Sequence, residues 1–397
     1  MDKESIAPVR LGRRALMLGG ASLIPSIVFG QSTPSANPEK LEHVFAMTPA
    51  SWNPWIATLE TRIPDLMAQT SVPGLSIVLI RDAKIYWRHG FGIRDAETRQ
   101  PVDNNTVFEA ASMSKPVFAY VVMKLAEQGT IGLDTPLTRY TPVKYVPDDP
   151  QLDRITTRHV LMHATGFPNW RSKESPMRIS FTPGERYSYS GEGYSYLQSV
   201  VTHLTGKEDR NRCGNYENDV SFCATDIGDF MRAHLLRPFR MDSSAYLWSE
   251  QIAKNLARPH GSKGDAHPLH KTTPVDASRY AAAGGLLTTP TDYARFLIEV
   301  IQPRPSDAFR LSKSSVDEMT RPQIDVGNFP GYSVARGLGW RIVRMANDRV
   351  IGHGGANPGF QCFSGISPAK KSGFVIMTNA DSGSELLQLL APTVLGS

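Results

Sequence analysis

Ser112-Met113-Ser114-Lys115 sets a hydroxyl and an amine three residues apart, directly ahead of Pro116 and a periodic apolar run. On a helix, residues i and i+3 share a face, so the amine of Lys115 is presented to the oxygen of Ser112. A serine hydroxyl is a poor nucleophile until a neighbour removes its proton. The free N–H groups and positive dipole end of a helix N-terminus favour the anionic oxygen that develops in acyl transfer. The chemistry implied is an acyl-enzyme on Ser112. Taken alone, the tetrapeptide reads more readily as a helix start with Ser112 as its N-cap. A second copy, Ser367-Pro-Ala-Lys370, lies in a Pro-containing turn between two strand-like runs and is set aside.

Other stretches change that balance. Phe181-Thr-Pro-Gly-Glu-Arg-Tyr-Ser-Tyr-Ser-Gly-Glu-Gly-Tyr-Ser-Tyr-Leu197 carries Tyr189. Far downstream, His353-Gly354-Gly355-Ala356 follows the apolar Arg349-Val-Ile351. Around them, in order, stand Val72-Pro-Gly-Leu75, Leu161-Met-His-Ala-Thr-Gly166, Ala283-Gly-Gly-Leu-Leu-Thr-Thr289 and Gly337-Leu-Gly-Trp340. This ordered set, over roughly residues 55–390, resembles the β-lactamase/DD-peptidase superfamily: class C β-lactamases, serine D-Ala-D-Ala carboxypeptidases and related esterases.

The resemblance implies a nucleophilic Ser112, a partnering Lys115, and Tyr189 as the phenol that takes the serine proton and returns it to the leaving group. A tyrosine serves as a base only where neighbouring cations lower its pKa, and Lys115 is the candidate cation. It also implies that His353-Gly354-Gly355 lies on the strand lining the active site, where glycine lets substrate approach the backbone. The N–H of Ala356 would join that of Ser112 as an oxyanion hole. His353 would offer a hydrogen-bond donor or partial positive charge to the substrate's carboxylate or leaving group. Two literal rivals fall in the wrong context: Tyr216-Glu-Asn218 in a polar Cys-flanked segment, and Lys371-Ser-Gly373 in a hairpin turn. His163 and the remaining glycines read as scaffold.

Two positions depart from the family's pattern. Residue 191 is Gly where the motif often has Asn, and His353 stands where class C β-lactamases carry lysine. Both favour an esterase or a D-amino-acid peptidase over a β-lactamase. They also keep a second reading open: a catalytically weak cell-wall-fragment (penicillin) binding protein or sensor on the same fold.

The elements that must position these residues follow from periodicity. Leu75–Ile80 and Lys84–Trp87 read as strands joined by a tight turn at Arg81-Asp82-Ala83. Phe118, Val121, Val122 and Leu125 fall at i, i+3, i+4 and i+7, an amphipathic helix that Gly129 ends. Residues 130–300 are richer in helical patterns and Pro/Gly turns. The strands then return at 339–343, 349–351, 360–363 and 374–378, before a helical run at 384–390. The expected fold is α+β: one antiparallel sheet made from both chain termini and flanked by helices, with an inserted mainly helical subdomain and the active site in the cleft between.

Bulk properties set the limits. The chain has 397 residues, 41% hydrophobic and 20% charged, as folded globular proteins do. Of the net charge of +5, residues 1–30 contribute +2, and no later stretch concentrates Lys and Arg with interleaved aromatics, so a nucleic-acid partner is not expected. Arg13-Arg14 ahead of the short, broken apolar run Ala15–Phe29 has the layout of a signal peptide, twin-arginine in type, rather than a membrane span. Residues 31–50 read as a linker and 51–397 as the hydrolase domain. The expectation is an exported bacterial protein, periplasmic or secreted, with no stable membrane insertion after signal removal. Its substrate is expected to be a small molecule or peptidoglycan-derived. In an oxidising compartment Cys213 and Cys223 are candidates for a disulfide. No cofactor or metal is expected: His159 and His163 stand at i, i+4 but lack the Glu of H-E-x-x-H. No G-x-S-x-G elbow occurs either, which disfavours an α/β-hydrolase.

Overall fold

Alternation along Gly74–Arg81 (β1) decides the layering. In this computed structural model, residues 52–395 are described, apart from 142–143, 147, 173–174, 206–212, 217–219, 224, 270, 272–273, 306–308 and 347. β1 is buried along almost its whole length. Its Leu75, Ile77 and Leu79 join a cluster with Leu59, Ile63 and Leu66 of Trp52–Thr70 (α1) and with Leu386, Leu387 and Leu390 near the chain's end. Its Val78 and Ile80 enter the main core instead. Side chains alternate faces along a strand, so one that is apolar on both needs a layer on each side. The turn into Lys84–Gly92 (β2) is formed by Asp82 and Ala83 at φ 52° and 53°, the left-handed pair that matches a tight hairpin's twist.

After Phe108–Glu109 (β3), one turn at Ala111–Met113 leads into Ser114–Glu127 (α2). This helix is buried almost all round rather than on one stripe, with Ala119, Tyr120 and Met123 inside as well as the four expected apolar residues. It runs through the core. Gly129, at φ 75°, ends it: Gly129 N–H donates to Ala126 O and Thr130 N–H to Leu125 O, the paired bonds of a Schellman cap.

The middle of the chain supplies Thr157–Leu161 (α3), Gly191–Leu204 (α4), a hairpin of Cys213–Tyr216 (β4) with Val220–Cys223 (β5), Thr225–Met231 (α5) and Glu250–Ala253 (α6). Pro274–Gly284 (α7), Leu287–Thr288 (β6), Pro290–Ile301 (α8) and Lys313–Thr320 (α9) follow. The backbone register of β4 and β5 sets Cys213 opposite Cys223. The sheet then completes with Ile324–Phe329 (β7), Tyr332–Arg336 (β8), Arg341–Met345 (β9), Arg349–Asn357 (β10), Phe360–Ser367 (β11) and Ser372–Thr378 (β12), closed by Gly383–Leu395 (α10).

The eight strands lie in the order β2-β1-β12-β11-β10-β9-β8-β7, and every neighbouring pair is antiparallel. The two ends of the chain meet where β1 pairs β12, Leu75 opposite Thr378 through Ile80 opposite Gly373. This is the α+β arrangement read from the pattern. Of the eight-stranded sheet β7 and β8 were not legible, nor were α1 and the short strands β3, β4, β5 and β6. β7 is a largely exposed edge strand with a register irregularity between Asp325 and Gly327, so it carries no clean alternation. The expected signal and linker lie outside the described residues. Among the described residues no helix is long and apolar enough to cross a membrane, and no group of three His, Cys, Asp or Glu could hold a metal ion.

Candidate active site

The turn carrying Ser112 is held from three directions. Ser114 Oγ donates to Ala111 O at 2.6 Å and accepts from Leu286 N–H at 3.0 Å. Tyr293 Oη donates to Met113 O at 2.9 Å. Ala111, the residue before the serine, sits at φ 48°, a left-handed conformation that costs a non-glycine residue about 1–3 kcal/mol unless its surroundings impose it. The N-cap position of α2 falls on Met113, with no side-chain bond, so Ser112 is not the helix cap. Its hydroxyl lies 3.2 Å from the amine of Lys115, as the i, i+3 spacing requires, and near enough to the phenol of Tyr189 to work against the rise in its pKa.

Lys115 is wholly buried. Its amine also donates to Ala283 O at 2.6 Å, on α7, and lies over the ring faces of Tyr189 and Tyr194 at 4.9 and 5.4 Å. Ring faces and carbonyl favour the ammonium, whereas burial, followed by the charge of Arg336, disfavours it. The net result is an amine lowered to about 7.

Tyr189 is placed by His163. The imidazole stacks on the phenol ring at 4.2 Å, its Nδ1 accepts from Ser190 N–H at 3.1 Å, and its backbone oxygen accepts from Ser188 N–H at 2.8 Å. A residue expected to be scaffold therefore grips both sides of Tyr189, from a backbone at φ 60°. Burial raises the phenol to about 12, against the Ser112 hydroxyl and the charge of Arg336. Tyr189 is thus a protonated phenol at neutral pH. Within the cluster, the group able to accept a proton there is Lys115.

β10 brings the second wall. A Cβ on Gly355 would meet Ala110 O at 2.2 Å; only glycine lets the strand press against the serine turn. Gly354 stands beside it in the ladder with β11, and Ala356, next along, is exposed at the strand's outer end. His353 is buried, with Nδ1 2.6 Å from Gly354 O. That contact makes Nδ1 the protonated nitrogen and leaves the buried Nε2 as an acceptor without a partner among the described residues. Burial first, then Arg336 and Lys115, hold the imidazole well below its ordinary value, so it is neutral at pH 7.

The positive charge in this corner belongs to Arg336, which motif reading missed. It is the last residue of β8; it pairs with Arg341 on β9, which pairs with Gly352 on β10. Two strands of register thus carry it beside His353. Its Nη2 donates to Tyr187 Oη at 2.8 Å, and the guanidinium lies over the rings of Tyr187 and Tyr189. Its buried Nε has no partner among the described residues.

Known proteins resemble the chain in family and fold. A family model described as Beta-lactamase matches residues 59–395. Protein flp of Staphylococcus aureus (strain MW2) is 19% identical over 341 residues, covering 82% of this chain and 63% of its own. Penicillin-binding protein 4* of Bacillus subtilis (strain 168) is 22% identical over 319 residues, covering 72% and 63%. The chain spans about three fifths of the length of these curated relatives. Among solved structures, an octameric penicillin-binding protein homologue from Pyrococcus abyssi superimposes with a TM-score of 0.69 at 24% identity, over 86% of this chain and 78% of the other. A class C β-lactamase mutant gives 0.70 at 18%, over 88% and 99%. These structures show a shared fold.

Proposed function

The chain belongs to the Beta-lactamase family, and from that premise we propose that it is an acyl-transferring serine hydrolase, an esterase or a D-amino-acid peptidase rather than a β-lactamase. The observation that carries this reading is the buried Lys115 amine, poised near neutrality, 3.2 Å from the hydroxyl of Ser112.

The neutral amine takes the proton of Ser112 as its oxygen attacks the carbonyl carbon. A phenol at about 12 is a poor resting base but a good relay. Tyr189, beside the same hydroxyl, gives its phenolic proton to the departing oxygen or nitrogen and regains one from the Lys115 ammonium, which lies over its ring. The N–H groups of Ser112 and Ala356 receive the oxyanion. Water then releases the acyl group by the reverse route. Arg336, whose buried Nε has no partner among the described residues and lies beside a neutral His353, suits a substrate that carries a carboxylate.

The test is covalent labelling. A fluorophosphonate should add its mass at Ser112 of the native protein and leave Ser112→Ala unmodified; labelling of both would remove Ser112 from the mechanism. Gly191 keeps the binding-protein reading in play. It prevails if short-chain nitrophenyl esters, D-alanyl peptides and a chromogenic cephalosporin all resist hydrolysis while a muropeptide binds saturably.

A further inference from the structure

Gly191 does not leave a gap where the family's asparagine would stand. A Cβ built on it would lie 2.5 Å from both Cη2 and Cζ2 of Trp170 and 2.9 Å from Cε2. The benzene edge of the indole therefore already occupies the space in which a side chain at 191 would begin. Trp170 in turn meets Tyr280 edge-to-face, ring centres 5.4 Å apart. Gly191 lies two residues beyond Tyr189, and Tyr280 lies one helical turn before Ala283, whose carbonyl holds Lys115. Both rings are partly exposed. They link the first turn of α4, which follows Tyr189, to α7, which carries Ala283.

The backbone on either side of the indole is also fixed in place. Asn169 O accepts from the N–H groups of Gly191 and Glu192, each at 3.0 Å, and Asn169 Oδ1 accepts from Gly191 N–H as well. Ser190 Oγ donates to Pro168 O at 2.8 Å. On the other side of the tryptophan, Arg171 and Glu192 form a buried ion pair at 2.8 Å, and Tyr145 donates to the same carboxylate at 2.6 Å. Residues 168–171 are thus bolted to the first turn of α4, which fixes the backbone that carries Trp170 through buried, charge-assisted bonds.

Resting on the serine-hydrolase reading, we infer that Trp170 is a specificity-determining residue that replaces amide recognition at position 191 with an aromatic wall. A site built around an amide side chain holds a substrate's acylamino group by hydrogen bonds. A flat indole backed by Tyr280 offers area and a π face instead. The substrate class it selects is an ester or related acyl donor with a planar, apolar acyl group.

The experiment compares kcat/KM for 4-nitrophenyl benzoate, 4-nitrophenyl acetate and an N-acyl-D-alanyl thioester in the native protein, Trp170→Ala, Gly191→Asn and the double variant. The benzoate-to-acetate ratio should fall at least tenfold in Trp170→Ala. Gly191→Asn alone should lose turnover of every substrate or lose stability. Trp170→Ala with Gly191→Asn should recover fold and ester turnover and raise the thioester-to-benzoate ratio. An unchanged benzoate-to-acetate ratio in Trp170→Ala overturns the inference, and so does a well-folded Gly191→Asn protein with native preferences. Fluorophosphonate labelling of Ser112 reports separately on the hydrolase reading. If the native protein does not label, the wall is scored by binding of phenylacetate, which Trp170→Ala should weaken at least fivefold; equal binding by both proteins then overturns it.

Discussion

Lys115 holds its proton at about 7 although the ordinary value is 10.5, and burial is the larger cause. On the mechanism we propose, the rate-active form is the neutral amine, which gains population as pH rises through that value. Acyl transfer should therefore climb tenfold per pH unit below about 7 and level off above it, with Tyr189 intruding only towards its own value of about 12. Replacing Lys115 by Met should lower kcat on the order of 10²–10⁴-fold and abolish that limb. A Met variant that kept the acid limb would assign it to another group. The Ser112–Lys115 pair was readable because its spacing is local. His163 and Arg336 were not, since each acts through a contact that sequence distance hides: one stacks on Tyr189, the other arrives across two strand registers. Nothing in Val334-Ala-Arg-Gly337 marks an active-site arginine.

Elements set the distances that those groups need. β10 approaches the serine turn closely only because residue 355 has no side chain, its Cβ position being 2.2 Å from a backbone oxygen that cannot move like the end of a flexible chain. Gly355→Ala should therefore push β10 away from Ala110 and lower kcat at least a hundredfold, while far-ultraviolet circular dichroism stays native. A fully active alanine variant would show that the strand does not form the oxyanion wall. Strand periodicity gave most of the sheet its place in advance, because buried strands such as β1 and β12 are nearly unbroken apolar runs. β7 escaped for the opposite reason: an exposed edge is under no pressure to alternate. Trp170 was invisible at this level too, since its role depends on Gly191, twenty-one positions later, and on a buried ion pair between their neighbours.

The molecule as a whole is a sheet in which the two ends of the chain pair, at the second and third of its eight strands. β1 and β12 share a six-residue register and bury both faces, in two separate cores. Their amides can open only when the entire sheet does. Hydrogen exchange should find them the slowest in the protein and equal to each other, whereas β7 should exchange faster, through local opening. Unequal protection of β1 and β12 would mean that one end peels independently. The overall α+β plan was legible from strand patterns at both ends of the chain, but not which strands would be neighbours.

That seam has a cost in time. When a ribosome has made β1, roughly 290 residues must still emerge before β12 can cover it, about 15–60 s at ordinary synthesis rates. Throughout that interval an apolar strand with an open hydrogen-bonding edge is exposed to the cytosol. The sheet beside the serine turn can close only once β12 has emerged, among the last events of synthesis.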